Sequence, residues 1–179
     1  MPLTPNFDLP YPASTDHVRL WEHFQSLATA IDTAFARPVF RARRVAAQSI
    51  NNTTDTAISW DTEDVDTHAG HDLVTNPTRY TFQVAGYSML GGGIGWANGT
   101  TGRRKSEWWK NGSALDGSNV LMAPNSSGTV AVPAKPIIVQ HSIGDYVELR
   151  GWQESGGSLG VSSAGTSSPS IDIFYIGPA

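Results

Sequence analysis

Residues 15–36 repeat apolar side chains at alternating steps of three and four residues, which is the spacing of one face of an α-helix. Possible N-cap side chains precede this segment, and Pro38 ends it. About three heptads are too few for a stable helix alone in water, so the apolar seam requires a partner surface. Four residues of the seam are candidate contacts between copies of the chain: Trp21, Phe24, Ile31 and Phe35.

After Pro38 the pattern changes to short apolar runs between clusters of Gly, Asn, Asp and Ser, which indicates strands joined by turns. No second helix is predicted, so the expected fold is mainly β, an antiparallel sandwich of about ten short strands. The change near Pro38 divides the chain into residues 1–38 and residues 39–179. The predicted strands are residues 39–46, 57–60, 80–84, 87–96, 105–109, 119–122, 130–132, 137–141, 146–152, 159–161 and 171–176.

Residues 1–13 contain four prolines interleaved with apolar side chains. This composition favours an extended arm that cannot form a regular hydrogen-bond ladder. Because exposed apolar segments seek cover, we expect the arm to lie on another surface. Its candidate attachment residues are Phe7, Leu9, Pro10, Tyr11 and Pro12.

The composition excludes several classes of function. The 179 residues carry a formal net charge of -4, without the basic excess that nucleic-acid binding requires. There is no cysteine, which excludes a disulfide scaffold, a thiolate metal site and a thiol nucleophile. No run approaches the roughly 20 apolar residues of a membrane span, and the N-terminus lacks the pattern of a signal peptide. We therefore expect a soluble protein without a nucleic-acid partner, membrane insertion or signal-directed export.

Potential metal ligands are concentrated in one acidic segment, residues 61–72. Their spacing fits neither an EF-hand loop nor a zinc-binding helix, so we interpret them as solvated loop charges and predict no metal site. Nothing resembles the Gly-x-Ser-x-Gly motif of a serine hydrolase, and no catalytic residue or cofactor is predicted. The potential ligands in the segment are Asp61, Glu63, Asp64, Asp66, His68, His71 and Asp72.

Aromatic side chains are predicted on the outer faces of two strands, residues 146–152 and residues 171–176. In strand 146–152 the apolar alternate residues face one way, whereas Tyr146 and Trp152 face the other. An aromatic second face requires cover, and we expect another subunit to supply it. Trp108 and Trp109 are adjacent, so only one of them can enter the core, and the other is a candidate for subunit contact or ligand stacking.

Several pieces of the chain carry a family resemblance, and they occur in a fixed order: Ile58-Ser59-Trp60-Asp61-Thr62-Glu63, Thr81-Phe82-Gln83-Val84-Ala85-Gly86-Tyr87, Lys110-Asn111-Gly112 and Gly144-Asp145-Tyr146-Val147-Glu148-Leu149. Over residues 39–177 they resemble the trimeric jelly-roll domain of complement globular heads and tumour-necrosis-factor-like proteins, in the version found on phage virions. The resemblance implies a homotrimer, with Tyr146, Trp152 and Tyr175 as candidate interface residues. The departure is Gly91-Gly92-Gly93-x-Gly95, which either a bulge or a close backbone approach would explain.

The N-terminal segment resembles phage fibre proteins through Leu9-Pro10-Tyr11-Pro12 followed by a short helix. This resemblance implies that the arm docks on capsid or tail proteins of the virion while the head points outward. The expected function is that of a non-enzymatic virion protein, assembled in the host cytoplasm, whose head adheres to the host surface as in a tail fibre. A capsid decoration protein or head fibre is the alternative, and a hydrolase acting on host surface polymer is a distant one.

Adhesion would use the loops at the outer end of the head, because loops on a rigid sandwich tolerate change. The loops in question are residues 99–102, 125–128 and 155–160. A host cell-surface glycan is the candidate ligand, and Trp96 or Trp152 is expected to provide an exposed aromatic platform for it. The candidate receptor-binding residues are Trp96, Asn98, Asn125 and Ser155.

Overall fold

The computed structural model describes residues 20–35, 37–124, 130–162 and 165–179. The chain divides into two compact units, Met1–Arg37 and Pro38–Ala179. The first unit contains helix α1, Leu20–Phe35, within the predicted helical segment. The apolar arm and the predicted N-cap side chains lie outside the described residues. In the described part of the chain, no helix is long and apolar enough to span a membrane.

The second unit, which we call the head, is built from strands and one short 3₁₀ turn at Gly165–Ser167. Its described residues form fourteen strands: β1 Val39–Arg43, β2 Ser49–Ile50, β3 Thr56–Ala57, β4 Thr62–Asp66, β5 Arg79–Thr81, β6 Gly86–Trp96, β7 Arg104–Lys110, β8 Ser113–Ala114, β9 Val120–Met122, β10 Val130–Pro133, β11 Ile137–His141, β12 Tyr146–Gln153, β13 Leu159–Gly160 and β14 Ser170–Gly177.

The strands form two antiparallel sheets that face each other. The first sheet has the order β10-β6-β14-β1-β4, with β11 also paired to β6. The second sheet has the order β3-β12-β7-β8, with β5 on β12 and β9 on β7. The short strands β13 and β2 form a separate pair. This arrangement is a jelly-roll sandwich, so the predicted fold class is confirmed.

Strand alternation places the core between the two sheets. From the first sheet, Phe40, Leu90 and Ile173 point inward and are fully buried. From the second sheet, Leu149 and Trp108 do the same, and the Trp108 indole N–H donates to the Lys135 carbonyl at 2.9 Å. Burial of such large side chains is the main source of stability in a chain without cysteine.

Strand β4 corrects the sequence-based description of the acidic segment as a loop. Residues 62–66 pair with β1 at the edge of the first sheet. Asp64 accepts two hydrogen bonds of 2.7 Å from the Arg43 guanidinium and lies 3.3 Å from that of Arg41. These paired arginines lower the pKa of Asp64, first through the Arg43 hydrogen bond. Asp64 is therefore a cross-strand ion-pair partner rather than a solvated loop charge, whereas Asp61, His68, His71 and Asp72 lie outside β4 in the connecting segments.

The glycine run in β6 is explained by close backbone approach. A Cβ on Gly95 would lie 1.7 Å from the Ser167 carbonyl oxygen, and one on Gly92 would lie 2.2 Å from that of Ser170. Gly92 also has a φ of +133°, a conformation that side chains rarely adopt. These two glycines therefore let the segment around the 3₁₀ turn lie against the first sheet.

The strand directions define two ends of the head. Val39 begins β1 at the end where β14 finishes, and we call this end the base. β6 runs away from the base to Trp96, and β12 runs in the same direction to Gln153, which pairs with Arg104 at the start of β7. We call this opposite end the tip. The first residues of the head, Pro38 and Val39, therefore lie at the base, and the loops that follow β6 and β12 lie at the tip.

A candidate binding surface at the tip loops

Three described segments meet at the tip: residues 49–54, 97–103 and 153–158. We call them together the tip platform. Arg103 and Glu154 form an ion pair that joins two of the segments, with Arg103 Nη2 donating to Glu154 Oε2 at 3.1 Å. The Thr101 hydroxyl donates to the Ser155 carbonyl at 3.2 Å, and the Gly156 N–H donates to Asn52 Oδ1 at 2.8 Å. The three segments are therefore cross-linked by these side chains, and also by backbone hydrogen bonds from Thr53 N–H to the Gln153 carbonyl at 2.7 Å and from Glu154 N–H to the Arg103 carbonyl at 3.2 Å.

Gln153 holds the platform from below. Its buried side-chain amide donates to the carbonyls of Ile50 at 3.0 Å and Gly157 at 2.7 Å, and its Oε1 accepts from the Ser155 N–H at 2.7 Å. One side chain thus satisfies backbone groups of two segments. Unpaired buried polar groups are costly, so this network favours a single loop conformation.

Arg104 is buried beneath the same loops, with only 1% of its surface exposed. Its Nη1 donates to the carbonyls of Thr101 at 2.8 Å and Gly102 at 2.9 Å. Its Nη2 is buried without a hydrogen-bond partner, and among the described residues no carboxylate forms an ion pair with it. Burial lowers the pKa of Arg104 from its ordinary value. The loop 97–103 therefore folds around a positive charge that only backbone carbonyls compensate.

Apart from the Arg103–Glu154 ion pair, the exposed surface of the tip platform consists of small polar residues and glycines. Their hydroxyl, amide and backbone groups can donate and accept hydrogen bonds, and glycines leave the backbone accessible. Such a surface suits a polar ligand held by several hydrogen bonds on a rigid support. The exposed members are Ser49, Asn51, Thr53, Thr54, Asn98, Thr100, Thr101, Arg103, Gly156, Gly157 and Ser158.

The structure treats the predicted receptor-binding residues differently. Asn98 is exposed on the tip platform and Ser155 is half-buried within it, whereas Asn125 lies outside the described residues. Trp96 is fully buried in the core, so its prediction as an exposed platform is wrong. Trp96 lies two residues after the buried Ile94 on β6, so both side chains point to the same, inward face of the strand. Gly151 on the opposite sheet leaves room for the Trp96 ring. Sequence reasoning missed Gln153 and Arg104, for which no motif exists.

The outer face of the second sheet gives its aromatic rings partners within the chain. The Arg79 guanidinium lies 4.7 Å from the Tyr146 ring centroid, and that of Arg150 lies 4.0 Å from the Trp109 centroid. Lys105 lies 5.9 Å from the ring centroid of Trp152. Since cations attract ring faces, these rings have cover without a second subunit. Tyr146 and Trp152 therefore have partners within the chain and are partly exposed, and their contact with another subunit stays a prediction.

The outer face of the first sheet carries an exposed apolar row. The strand registers place Val39 beside Phe174, Phe174 beside Met89, and Met89 beside Ile138. The exposed fractions are 44% for Phe174, 41% for Met89 and 65% for Ile138. Tyr87 on the same face is also exposed. Strands β1, β14, β6 and β11 thus contribute to one continuous apolar surface, called here the apolar row. A continuous surface of this kind is typical of an interaction site, whereas isolated exposed apolar residues are not.

Tyr175, the third aromatic residue predicted at the interface, lies on β14 but does not join this row. It is partly exposed, and its hydroxyl donates to the Ala85 carbonyl at 3.0 Å at the base of the head. Its neighbours in sequence, Phe174 and Ile176, are the exposed apolar residues of this strand. The last strand, β14, therefore presents an apolar outer face, but this face is formed by Phe174 and Ile176 rather than by Tyr175.

Two histidines that could take part in catalysis or metal binding, His71 and His141, are instead held by contacts within the fold. His71 has its Nδ1 3.2 Å from Glu63 Oε2 and its Nε2 3.3 Å from the Pro77 carbonyl oxygen. His141 Nε2 lies 2.9 Å from the Ser88 hydroxyl, but both side chains are buried in the core, with the His141 ring stacked on Phe82. A buried Ser–His pair cannot be reached by a polymeric substrate. In the described part of the chain, no group of three His, Asp or Glu side chains could hold a metal ion.

Two adjoining open grooves cross the first sheet near the tip. One, of about 310 Å³, is lined by the glycine run, β10 and the 3₁₀ turn. The other, of about 490 Å³, is lined by Thr166, Ser170, Arg41 and Arg43. Both arginines are paired with carboxylates, those of Asp64 and Asp172. The grooves therefore offer hydroxyl groups and backbone rather than an uncompensated charge.

Comparison with known proteins supports the fold assignment. No protein-family model matches the sequence, and no curated protein matches it. The crystal structure of murine APRIL at pH 8.0 is similar, with a TM-score of 0.58 and 10% sequence identity over 78% of this chain and 99% of that chain. Eiger TNF from S. frugiperda has a TM-score of 0.56 and 10% identity over 80% of this chain and 93% of its own. At this identity the likeness shows the fold: the head is a TNF-like jelly roll.

Proposed function

We propose that the protein is a non-enzymatic structural protein of a phage virion, a homotrimeric appendage anchored by residues 1–38 whose head adheres to the host surface. The observation that carries the proposal is the polarity of the head. Val39, where the first strand of the head begins, lies at the base, and the cross-linked tip platform lies at the opposite end. A binding surface remote from the attachment point is the arrangement that an adhesive appendage needs.

The apolar row supports the trimer. Met89, Ile138 and Phe174 expose a continuous apolar surface that a second copy would cover. We therefore assign the contacts between heads to the first sheet rather than to Tyr146 and Trp152. The exposed seam residues Phe24 and Ile31 of α1 are assigned to contacts between helices of different copies.

Light scattering on the full chain tests the trimer. Ile138→Asp places a charge in the apolar row and should reduce the mass in solution to that of a smaller assembly. Ser113→Asp is the matched control, because it adds the same charge at an exposed strand position of the second sheet. It should leave the trimer intact, as should Trp152→Ala on that sheet. A wild-type monomer, or equal dissociation of all three variants, would reject this interface.

Competition for host cells tests adhesion. The purified wild-type protein should bind host cells and reduce phage adsorption. Thr100→Arg introduces a bulky charge on the exposed tip platform and should abolish competition, whereas Ser113→Arg, on an exposed strand at the base, should not. Both variants should unfold at nearly the wild-type temperature, since exposed positions tolerate substitution.

A capsid decoration protein or head fibre is the second candidate function. It gains support from the burial of Trp96, which removes one of the two aromatic side chains expected to stack on a glycan. If the wild-type protein neither binds host cells nor competes, and particles that lack it still adsorb but break more easily, decoration replaces adhesion as the function.

A further inference from the structure

The sequence contains two Asn-Gly pairs, Asn98-Gly99 and Asn111-Gly112. In such a pair no side chain shields the glycine, so its backbone nitrogen can reach the side-chain carbonyl of the preceding asparagine. Attack there leads to loss of ammonia. The two pairs have the same local chemistry, so any difference between them in the folded protein comes from their surroundings.

Asn111 is held in place on both sides of its side-chain amide. Its Nδ2 donates to Asp145 Oδ1 at 2.7 Å, and its Oδ1 accepts from the Tyr146 N–H at 2.9 Å. Hydrogen bonds from Lys110 and the Ser142 N–H hold the pKa of Asp145 far below its usual range, so this acceptor stays ionised at neutral pH. The clamp keeps the amide of Asn111 occupied and fixes it in its turn.

Asn98 has no such clamp. Its side chain is exposed in the loop 97–103, and among the described residues nothing hydrogen-bonds its amide. The side chain is therefore free to rotate toward the Gly99 nitrogen. Only the backbone of this loop is fixed, by the contacts of Arg104 with Thr101 and Gly102.

The positive charge of Arg104 also favours attack of the Gly99 nitrogen on the Asn98 side chain. A Cβ on Gly99 would lie 2.8 Å from Arg104 Nη2, so the buried guanidinium is adjacent to the glycine backbone. That nitrogen has no hydrogen-bond partner in the structure. A positive charge in a water-poor site favours the negative charge that develops when the glycine N–H loses its proton and the amide carbonyl is attacked.

The geometry points to Asn98 as a site of spontaneous deamidation in the folded protein. The Gly99 nitrogen forms a bond to Asn98 Cγ, the Cγ–Nδ2 bond breaks, and the amide nitrogen leaves as ammonia with the proton from Gly99. Water then opens the resulting succinimide at either carbonyl, which yields aspartate or isoaspartate. No oxidant, reductant or enzyme is required.

The product changes the charge of the tip platform. A neutral amide becomes a carboxylate on a surface whose other exposed residues are uncharged except for Arg103, which is paired with Glu154. The consequence for adhesion rests on the proposed function, but the modification itself does not. Each copy of the chain would acquire one negative charge as the protein ages.

Peptide mapping by mass spectrometry tests the site. The full chain is incubated folded and, separately, in denaturant, in the same mildly alkaline buffer. In denaturant both Asn-Gly pairs should convert at similar rates. In the folded protein Asn98 should convert at a rate within a few-fold of the denatured one, whereas Asn111 should remain largely unconverted. Equal protection of both residues in the folded protein, or faster conversion of Asn111, would overturn the inference.

Two variants separate the modification from its effect on adhesion. Asn98→Gln should remove the mass change at this position. Asn98→Asp carries the product charge and should bind host cells like aged protein. If Asn98 does not convert, the deamidation site is wrong whatever the cells do. If it converts while fresh protein fails to bind cells, the site stands and the adhesive function is rejected.

Discussion

His141 shows how a single residue couples the core to pH. Its ring stacks on Phe82 with 3.7 Å between the centroids, and the Ser88 hydroxyl contacts its Nε2. Burial, followed by the nearby Lys110 charge, lowers the pKa of His141 below its ordinary value. The folded state therefore favours the neutral ring, whereas the unfolded chain takes up a proton at a pKa of about 6.5.

This difference gives a signed prediction. As the pH falls through about 6.5, the unfolded state binds the proton and the folded state does not, so the free energy of unfolding decreases. His141→Gln keeps a polar side chain near Ser88 and should reduce that slope. Urea denaturation of both proteins across this pH range measures it. Because the other histidines are common to both proteins, equal slopes would show that His141 does not titrate on unfolding.

Trp96 and Gly95 show what single-residue reasoning can recover. Trp96 has the parity of Leu90 and Ile94 in a predicted strand, so its burial was available from the sequence. The need for glycine at position 95 was not, because it depends on the carbonyl of Ser167, far away in the chain. A contact between distant segments leaves no local pattern.

At the scale of elements, periodicity located most strands. The long strands β6 and β12 lie where alternating apolar residues predicted them, and Trp108 and Trp109 divide between the core and the surface. Strand β4 was missed because it is an edge strand whose polar side chains pair with arginines instead of entering the core. The strands β2 and β8 have two residues each, which is too short to show an alternation of apolar and polar residues.

The tip platform depends on one element contact that is open to test. Gln153→Leu would remove its hydrogen bonds with the Ile50 and Gly157 carbonyls and the Ser155 N–H. The two carbonyls keep longer contacts with the Ser158 and Ser155 hydroxyls, at 3.4 and 3.3 Å. We expect the free energy of unfolding to fall by about 1–3 kcal/mol, and the Ser155 amide hydrogen to exchange faster. Gln140→Leu, on an exposed strand position, is the control. Unchanged exchange at Ser155 in the Gln153 variant would mean that the other cross-links suffice.

At the scale of the whole molecule, the two outer faces of the sandwich differ in a way that the composition does not reveal. The second sheet places Arg79, Arg150 and Lys105 against its rings, and its exposed large apolar side chains, Leu121 and Met122, lie on the short strand β9. The first sheet leaves Met89, Ile138 and Phe174 exposed in one row. The sequence indicated that apolar surface required a partner, but only the strand registers identify which sheet carries it.

The division of the chain at Pro38 leads to the last prediction. The core residues of the head, among them Phe40, Trp60 and Leu149, all belong to Pro38–Ala179. A chain that begins at Val39 should therefore fold, with cooperative unfolding at nearly the wild-type temperature. The double variant Trp21→Asp, Ile31→Asp should likewise keep a folded head while weakening the assembly of the N-terminal helices.

Incorporation into particles then separates the two units. Since residues 1–38 are proposed to anchor the protein, the chain that begins at Val39 should be absent from purified virions, while the wild-type chain, expressed at the same level, is present. Both can be followed by immunoblotting of particles made in cells that lack the native copy. The apolar row on the first sheet should still allow the shortened chain to associate, so light scattering on it tests the head contacts alone. Normal incorporation of the shortened chain would place the anchor in the head and reverse the polarity proposed for the molecule.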